Sequence, residues 1–202
     1  EMKRNANQMA PQSARPSFEI PLSDKIITFE CSVPSIHGDP ILIAALARKI
    51  IIFALEFGNE EFSFDYRLIK EIAETDTKII KLCSQIIARN ILFATCTVQS
   101  IKIFMVNDSE VQCLKQIKAH SSYINSIDFC DEYIVSGSDD HTCKIFSVKD
   151  NYEEHSVLQF SSAVTCVRFN PEELNKVLIS VKNGNLFIYC LKLRQSLYSF
   201  YT

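Results

Sequence analysis

Residues 119–148, AHSSYINSIDFCDEYIVSGSDDHTCKIFSV, decide the fold. After His120, apolar residues fall four, seven and nine positions on, at Ile124, Ile127 and Phe129. Ile127 and Phe129 alternate with polar Ser126 and Asp128, as in a half-buried strand. Tyr133, Ile134 and Val135 begin a second strand. The turn Ser138-Asp139-Asp140-His141 leads into a third, residues 142–146. Asp and Ser suit such turns because their side chains hydrogen-bond the local backbone. The stretch therefore predicts a small antiparallel sheet, with residues 155–160 as its outer strand.

Sliding this unit along the chain finds three more. Val164, Val167 and Phe169 lie forty positions after Ile124, Ile127 and Phe129. Residues 176–181, 185–190 and 196–201 follow as strands, and Asn183-Gly184 is a two-residue hairpin signal because both residues tolerate positive φ. Upstream, residues 78–82, 91–95, 101–106 and 111–117 form a second unit, without the histidine and with Val98 where Asp140 stands. The first unit comprises residues 26–29, 41–46, 49–55 and 62–68. A helix over 41–55 is the rival reading, since Ala and Leu favour helix. The β-branched Ile50, Ile51 and Ile52 favour strands, and continuous apolar runs suit strands buried on both faces. Residues 68–76 have helical character and read as a longer loop. Phe53, Phe104, Phe146 and Tyr189 close the third strands at spacings of 51, 42 and 43. That is close to the roughly 40–45-residue period of propeller repeats, with one insertion.

Residues 119–148 resemble one WD repeat, the unit of a β-propeller. The resemblance implies an all-β fold of about four blades at residues 17–70, 71–118, 119–160 and 161–202, after a disordered tail over 1–16. In WD blades a histidine, a strand Ser or Thr, a turn Asp and a strand Trp form a buried hydrogen-bonded chain. Carried onto this sequence, these are His120, Ser136 and Asp140. Ala119 replaces the usual Gly, Phe146 the usual Trp and Ser147 the signature Asp, so a triad is expected instead of a tetrad. From residue 119 onward, SDDHTCKIF followed by NPEELNKVLISVKNGNLFIY resembles the small WD-repeat nucleoporins of the Y-shaped outer-ring complex of the nuclear pore. The resemblance implies a single seven-bladed propeller. The chain then corresponds to an N-terminal open arc of one.

Composition bounds the rest. The 202 residues are 47% hydrophobic with 14 Phe, ample for a core, while only four Gly and no Trp mark a diverged repeat protein. A net charge of −3 gives no global attraction to nucleic acid or anionic membrane. The apolar run 41–55 is too short to span a bilayer. The eight Cys contain no C-x-x-C pair, so no zinc site is expected, and they read as buried free thiols. No phosphate loop, HExxH or GxSxG motif occurs. Of the histidines, His37 falls in a Pro/Gly loop and His155 opens a strand. His120, Asp140 and Ser136 could be drawn as a hydrolase triad. The Ser lies within an apolar strand, with no nucleophile elbow. Neither catalysis, cofactor nor metal is expected.

The resemblance implies a scaffold subunit at the nuclear pore, with a kinetochore association in mitosis. Its partners would be other Y-complex nucleoporins, chiefly the large propeller-plus-helical subunit. It supports nucleocytoplasmic transport, mRNA included, without a small-molecule substrate, direct nucleic-acid contact or membrane insertion. The candidate contact residues are Asp139, His141 and the loop 150–154. The other function class is a WD adaptor: a ubiquitin-ligase substrate receptor or a chromatin-associated scaffold. Receptors of that kind carry an Arg soon after the WD dipeptide, and Phe146-Ser147-Val148-Lys149 has none.

Overall fold

The computed structural model describes residues 25–32, 40–57, 64–73, 78–87, 90–106 and 110–201; the expected tail over 1–16 lies outside them. Every regular element among the described residues is a strand. The first sheet contains β1 (Ile26–Ser32), β2 (Ile41–Leu46), β3 (Lys49–Phe57) and β4 (Phe64–Ala73). The second contains β5 (Lys81–Ile87), β6 (Asn90–Cys96), β7 (Ser100–Val106) and β8 (Val111–Lys118). The third contains β9 (Ile124–Phe129), β10 (Tyr133–Ser138), β11 (Thr142–Ser147) and β12 (Glu153–Gln159). The fourth contains β13 (Val164–Phe169), β14 (Lys176–Val181), β15 (Leu186–Cys190) and β16 (Gln195–Phe200). Each sheet is an antiparallel meander paired in chain order. The first strands line up as a hub, β1 beside β5, β5 beside β9 and β9 beside β13. Four radial sheets around one side of an axis make a β-propeller arc.

The core lies between consecutive blades. Ile43, Ile50 and Ile52 of the first meet Ile79, Phe93 and Phe104 of the second. The rings of Phe93 and Phe104 stack at 4.8 Å. Ile101 and Ile103 meet Ile124, Ile134 and Phe146 of the third. Val135 and Ile145 then meet Val164, Ile179 and Tyr189 of the fourth. Each fully buried Ile or Phe contributes about 1.5–3 kcal/mol, so these seams dominate the stability. Residues 41–55 are strands β2 and β3, with residues of both faces buried. A sheet covered on each side needs no polar alternation, which explains the unbroken apolar run.

A repeated irregularity marks the period. Register slips at Ile52/Phe53, Ile103/Phe104, Ile145/Phe146 and Ile188/Tyr189. The aromatics spaced by sequence thus share one structural position. Each slip leaves one extra residue in the outer strand: Ile69, Leu114, His155 and Leu197. These are β-bulges, which raise local twist.

Several expectations need correction. The outer strand of the first blade is Phe64–Ala73, not 62–68, so the loop expected over 68–76 is largely strand. Its Ile69 and Ile72 pack on the core and Glu71 pairs with Lys49 at 2.8 Å. The second hub strand is Lys81–Ile87, not 78–82. Ile79 belongs to the segment entering from the first blade, its amide bonded to the Ala47 carbonyl at 3.0 Å. All eight Cys are free, but Cys31, Cys113 and Cys166 are exposed, not buried.

Candidate functional site: the blade network and its turn

The third blade carries a buried polar cluster at the end where β10 turns into β11. His120 enters just before the hub strand, its amide donating to the Gln99 carbonyl of the preceding blade at 3.1 Å. Its side chain is fully buried and that of Asp140 is 10% exposed. Nδ1 lies 2.9 Å from Asp140 Oδ2, and Nε2 lies 2.7 Å from Ser136 Oγ. A carboxylate only accepts, so Nδ1 carries the proton and Nε2 accepts from the Ser136 hydroxyl. Asp140 also accepts from the Ser121 amide at 3.0 Å, the Thr142 amide at 3.0 Å and the Thr142 hydroxyl at 2.6 Å. Thr142 Oγ1 sits 3.0 Å from His120 Nδ1, so four side chains share the cluster. The sequence pattern marks Thr142 only as a strand residue. The S-D-D-H-T spacing, with a hydroxyl two residues past the turn Asp, was the signal for it.

The electrostatics follow from this packing. Burial lowers the proton affinity of His120, only partly offset by the Asp140 charge, so the imidazole is neutral at pH 7. For Asp140, burial pushes upward. The hydrogen bonds from Thr142, Ser121 and His120 outweigh it and hold the carboxyl well below its usual 3.8. Ser136 is 0% exposed and mid-strand, with its hydroxyl committed to His120. A substrate carbonyl has no approach to that oxygen, so the arrangement ties a turn to a strand and offers no nucleophile.

Among the described residues the second and fourth blades do not repeat the cluster. Strand register places Thr95 in the second blade opposite Lys102, as Ser136 stands opposite Lys144, each lysine two residues before the bulge aromatic. Ile79, 0% exposed, takes the histidine's place sixteen residues upstream. The Thr95 hydroxyl is buried with no partner. In the fourth blade Phe160 takes the histidine's place, its amide donating to the His141 carbonyl at 2.9 Å, and its ring meets Phe187 at 5.0 Å.

Other residues join the third and fourth blades. Asp128 Oδ2 accepts from the Phe169 amide at 2.8 Å, and Arg168 Nη1 donates to the Ile127 carbonyl at 3.0 Å. Burial raises the Asp128 carboxyl above its usual value, against the opposing effect of the Phe169 and Phe129 amides. Asn125 Nδ2 bridges Asp139 Oδ1 at 2.7 Å and the Val164 carbonyl at 2.9 Å. Sequence alternation marked Asp128 only as a polar strand residue.

At the surface, Asp139 and His141 are both exposed, and His141 holds a left-handed φ of 68°. The loop 150–154 is exposed at Asp150, Asn151, Glu153 and Glu154, but not at Tyr152. Tyr152 is 8% exposed and packs in the core between the second and third blades. Asn151 and Tyr152 both have positive φ, 53° and 60°, a tight hairpin that folds the ring inward. Glu154 pairs with Lys144 at 2.7 Å. No group of three potential metal ligands occurs among the described residues.

Four-stranded radial sheets, a period marked by bulges and the His–Ser–Asp–Thr cluster define a WD-repeat β-propeller segment, and residues 111–147 match the family model described as WD domain, G-beta repeat. The chain is similar to nucleoporin Nup37. It is 23% identical to the Drosophila melanogaster protein over 91% of this chain and 61% of that one. To the human Nup37 it is 30% identical over 49% of this chain and 31% of that one, and to the mouse Nup37 29% identical over the same shares. The chain thus spans less than two thirds of the length of these relatives.

Proposed function

We propose that the chain is part of a non-enzymatic scaffold subunit of the nuclear pore outer ring. It contributes to pore assembly and nucleocytoplasmic transport through protein–protein contacts. The observation that carries this reading is the similarity to nucleoporin Nup37 along 91% of the chain. The buried, fully engaged Ser136–His120 pair supports a structural role over a hydrolytic one. Localisation at the nuclear envelope follows from the same reading, as does a kinetochore association in mitosis. The partners are other Y-complex nucleoporins, chiefly the large propeller-plus-helical subunit, with Asp139 and His141 as candidate contacts.

The fourth blade's far face supports a larger ring. Val177, Ile179 and Val181 pack toward the third blade. The alternate side exposes Leu178, Leu186, Tyr198 and Phe200 at 38–61%. In our reading a further blade covers this apolar face. The test is affinity purification of the full-length tagged protein from nuclear envelopes. Recovery of outer-ring nucleoporins in fixed proportion is expected. Recovery of ligase adaptors or histones in their place would refute the assignment.

A further inference from the structure

A groove of about 740 Å³ opens between the third and fourth blades, at the end opposite the His120 network. The β9–β10 turn forms one wall with Asp131 and Glu132, and Leu174, Leu191, Lys192 and Arg194 form the other. Tyr133 and His155 line it as a ring pair with centroids 5.2 Å apart.

The charges in this groove are unequally satisfied. Glu132 pairs with Lys149 at 2.5 Å and Glu173 with Lys176 at 2.7 Å. Asp131 accepts from Gln85 Nε2 at 2.7 Å. Its two basic residues, Lys192 and Arg194, have no carboxylate partner among the described residues. On the same wall Leu174 is 41% exposed. The turn that presents Lys192 and Arg194 is set in advance. Leu191 is buried, its amide donates to the Asn175 carbonyl at 2.8 Å, and Arg194 holds a left-handed φ of 52°. A preorganised turn loses little freedom when it binds.

We propose that this groove docks an acidic peptide segment of a partner protein, with an apolar side chain against Leu174 and carboxylates on Lys192 and Arg194. Its volume lies within the usual range of ligand clefts, and unpaired cations on the same wall as an exposed leucine complement that pattern. The proposal stands independently of the nuclear-pore reading.

The test uses the full chain and a fluorescein-labelled peptide alternating Glu with Leu and Phe, beside a twin with Lys for Glu. Anisotropy should show binding of the Glu peptide that weakens severalfold as salt rises, and none of the Lys twin. Lys192→Glu with Arg194→Glu should weaken it about tenfold at unchanged melting temperature, as expected when both attractive charges become repulsive. Lys182→Glu, a charge reversal outside the groove, should bind as the native chain does. Equal affinity for the two peptides, no binding of the Glu peptide, or an undiminished double variant would overturn the proposal. So would sedimentation showing that the double variant abolishes a dimer of this chain, which would assign the groove to a second copy.

Discussion

Gly137 offers the sharpest test of how the blades meet. It lies in β10 between Ser136 and Ser138, on the side facing the fourth blade. A Cβ built there falls inside van der Waals contact of Val164 Cγ1, and 3.1 Å from both Val164 Cβ and Val167 Cγ1. Both valines are 0% exposed, hub-strand residues with no room to retreat. Overpacking of this kind costs about 1–3 kcal/mol. Replacing Gly by Ala also restricts the unfolded chain, a gain of about 0.4–1 kcal/mol where the backbone fits. Gly137 has no positive φ, so that gain applies. The closeness of the Val164 contact puts the overpacking cost at the upper end, so the balance for Gly137→Ala is a net loss of about 2–2.6 kcal/mol. The chain has no Trp, so unfolding in urea is best followed by circular dichroism. Val164→Ala opens space at the contact, so the double variant should lose less than the sum of the two single losses. A Gly137→Ala chain as stable as the native one, or strict additivity in the cycle, would refute the steric argument.

Three further outcomes are expected. Stability should fall as pH drops below about 6.5: unfolded His120 takes a proton there that the buried ring refuses until its own depressed value is reached. Asp140 adds a second loss below 3.8, while Asp128 and Glu30, raised by burial, act in the opposite sense. Melting curves from pH 7 to 5 should show the decline, and His120→Gln should flatten it; an unchanged slope would remove His120 as its source. Ser136→Ala should cost about 1–3 kcal/mol because His120 Nε2 loses its donor, whereas Thr95→Val should be neutral or stabilising by up to about 1 kcal/mol; similar losses in urea titrations would contradict the orphaned hydroxyl. Tyr152→Ala should cost about 3–5 kcal/mol, as for other large-to-small core changes, with Tyr152→Phe close to neutral; a mild effect of the alanine variant would place the ring at the surface.

Most of the fold was legible because strand, turn and period agreed. Residues 41–55 could be read as strands from the β-branched isoleucines and the unbroken apolar run together, and the aromatic spacing turned weak single repeats into one architecture. The errors have physical causes. Ile79 and Ile80 look like the start of a strand, but their amides bond across to Ala47 and Cys96, so the apolar pair marks an entry segment. Tyr152 sits in a polar turn whose two positive-φ residues carry it inward, and no periodicity reports a reversal of that kind. His120, Ser136 and Asp140 could be aligned by motif. The share of Thr142 in the cluster, and the loneliness of Thr95, depend on register between strands. The groove at Lys192 and Arg194 joins two blades that the sequence presents some forty residues apart.

The bulges at Ile69, Leu114, His155 and Leu197 have a consequence beyond marking the period. β4, β8, β12 and β16 are the free margins of their sheets, where a long straight strand would recruit a neighbouring molecule into cross-chain pairing. An extra residue in the same place on all four breaks the run of evenly spaced donors and acceptors, and leaves only short pairing segments on either side. The rim is thereby guarded against stacking into fibres, even though each sheet within is apolar enough to favour it.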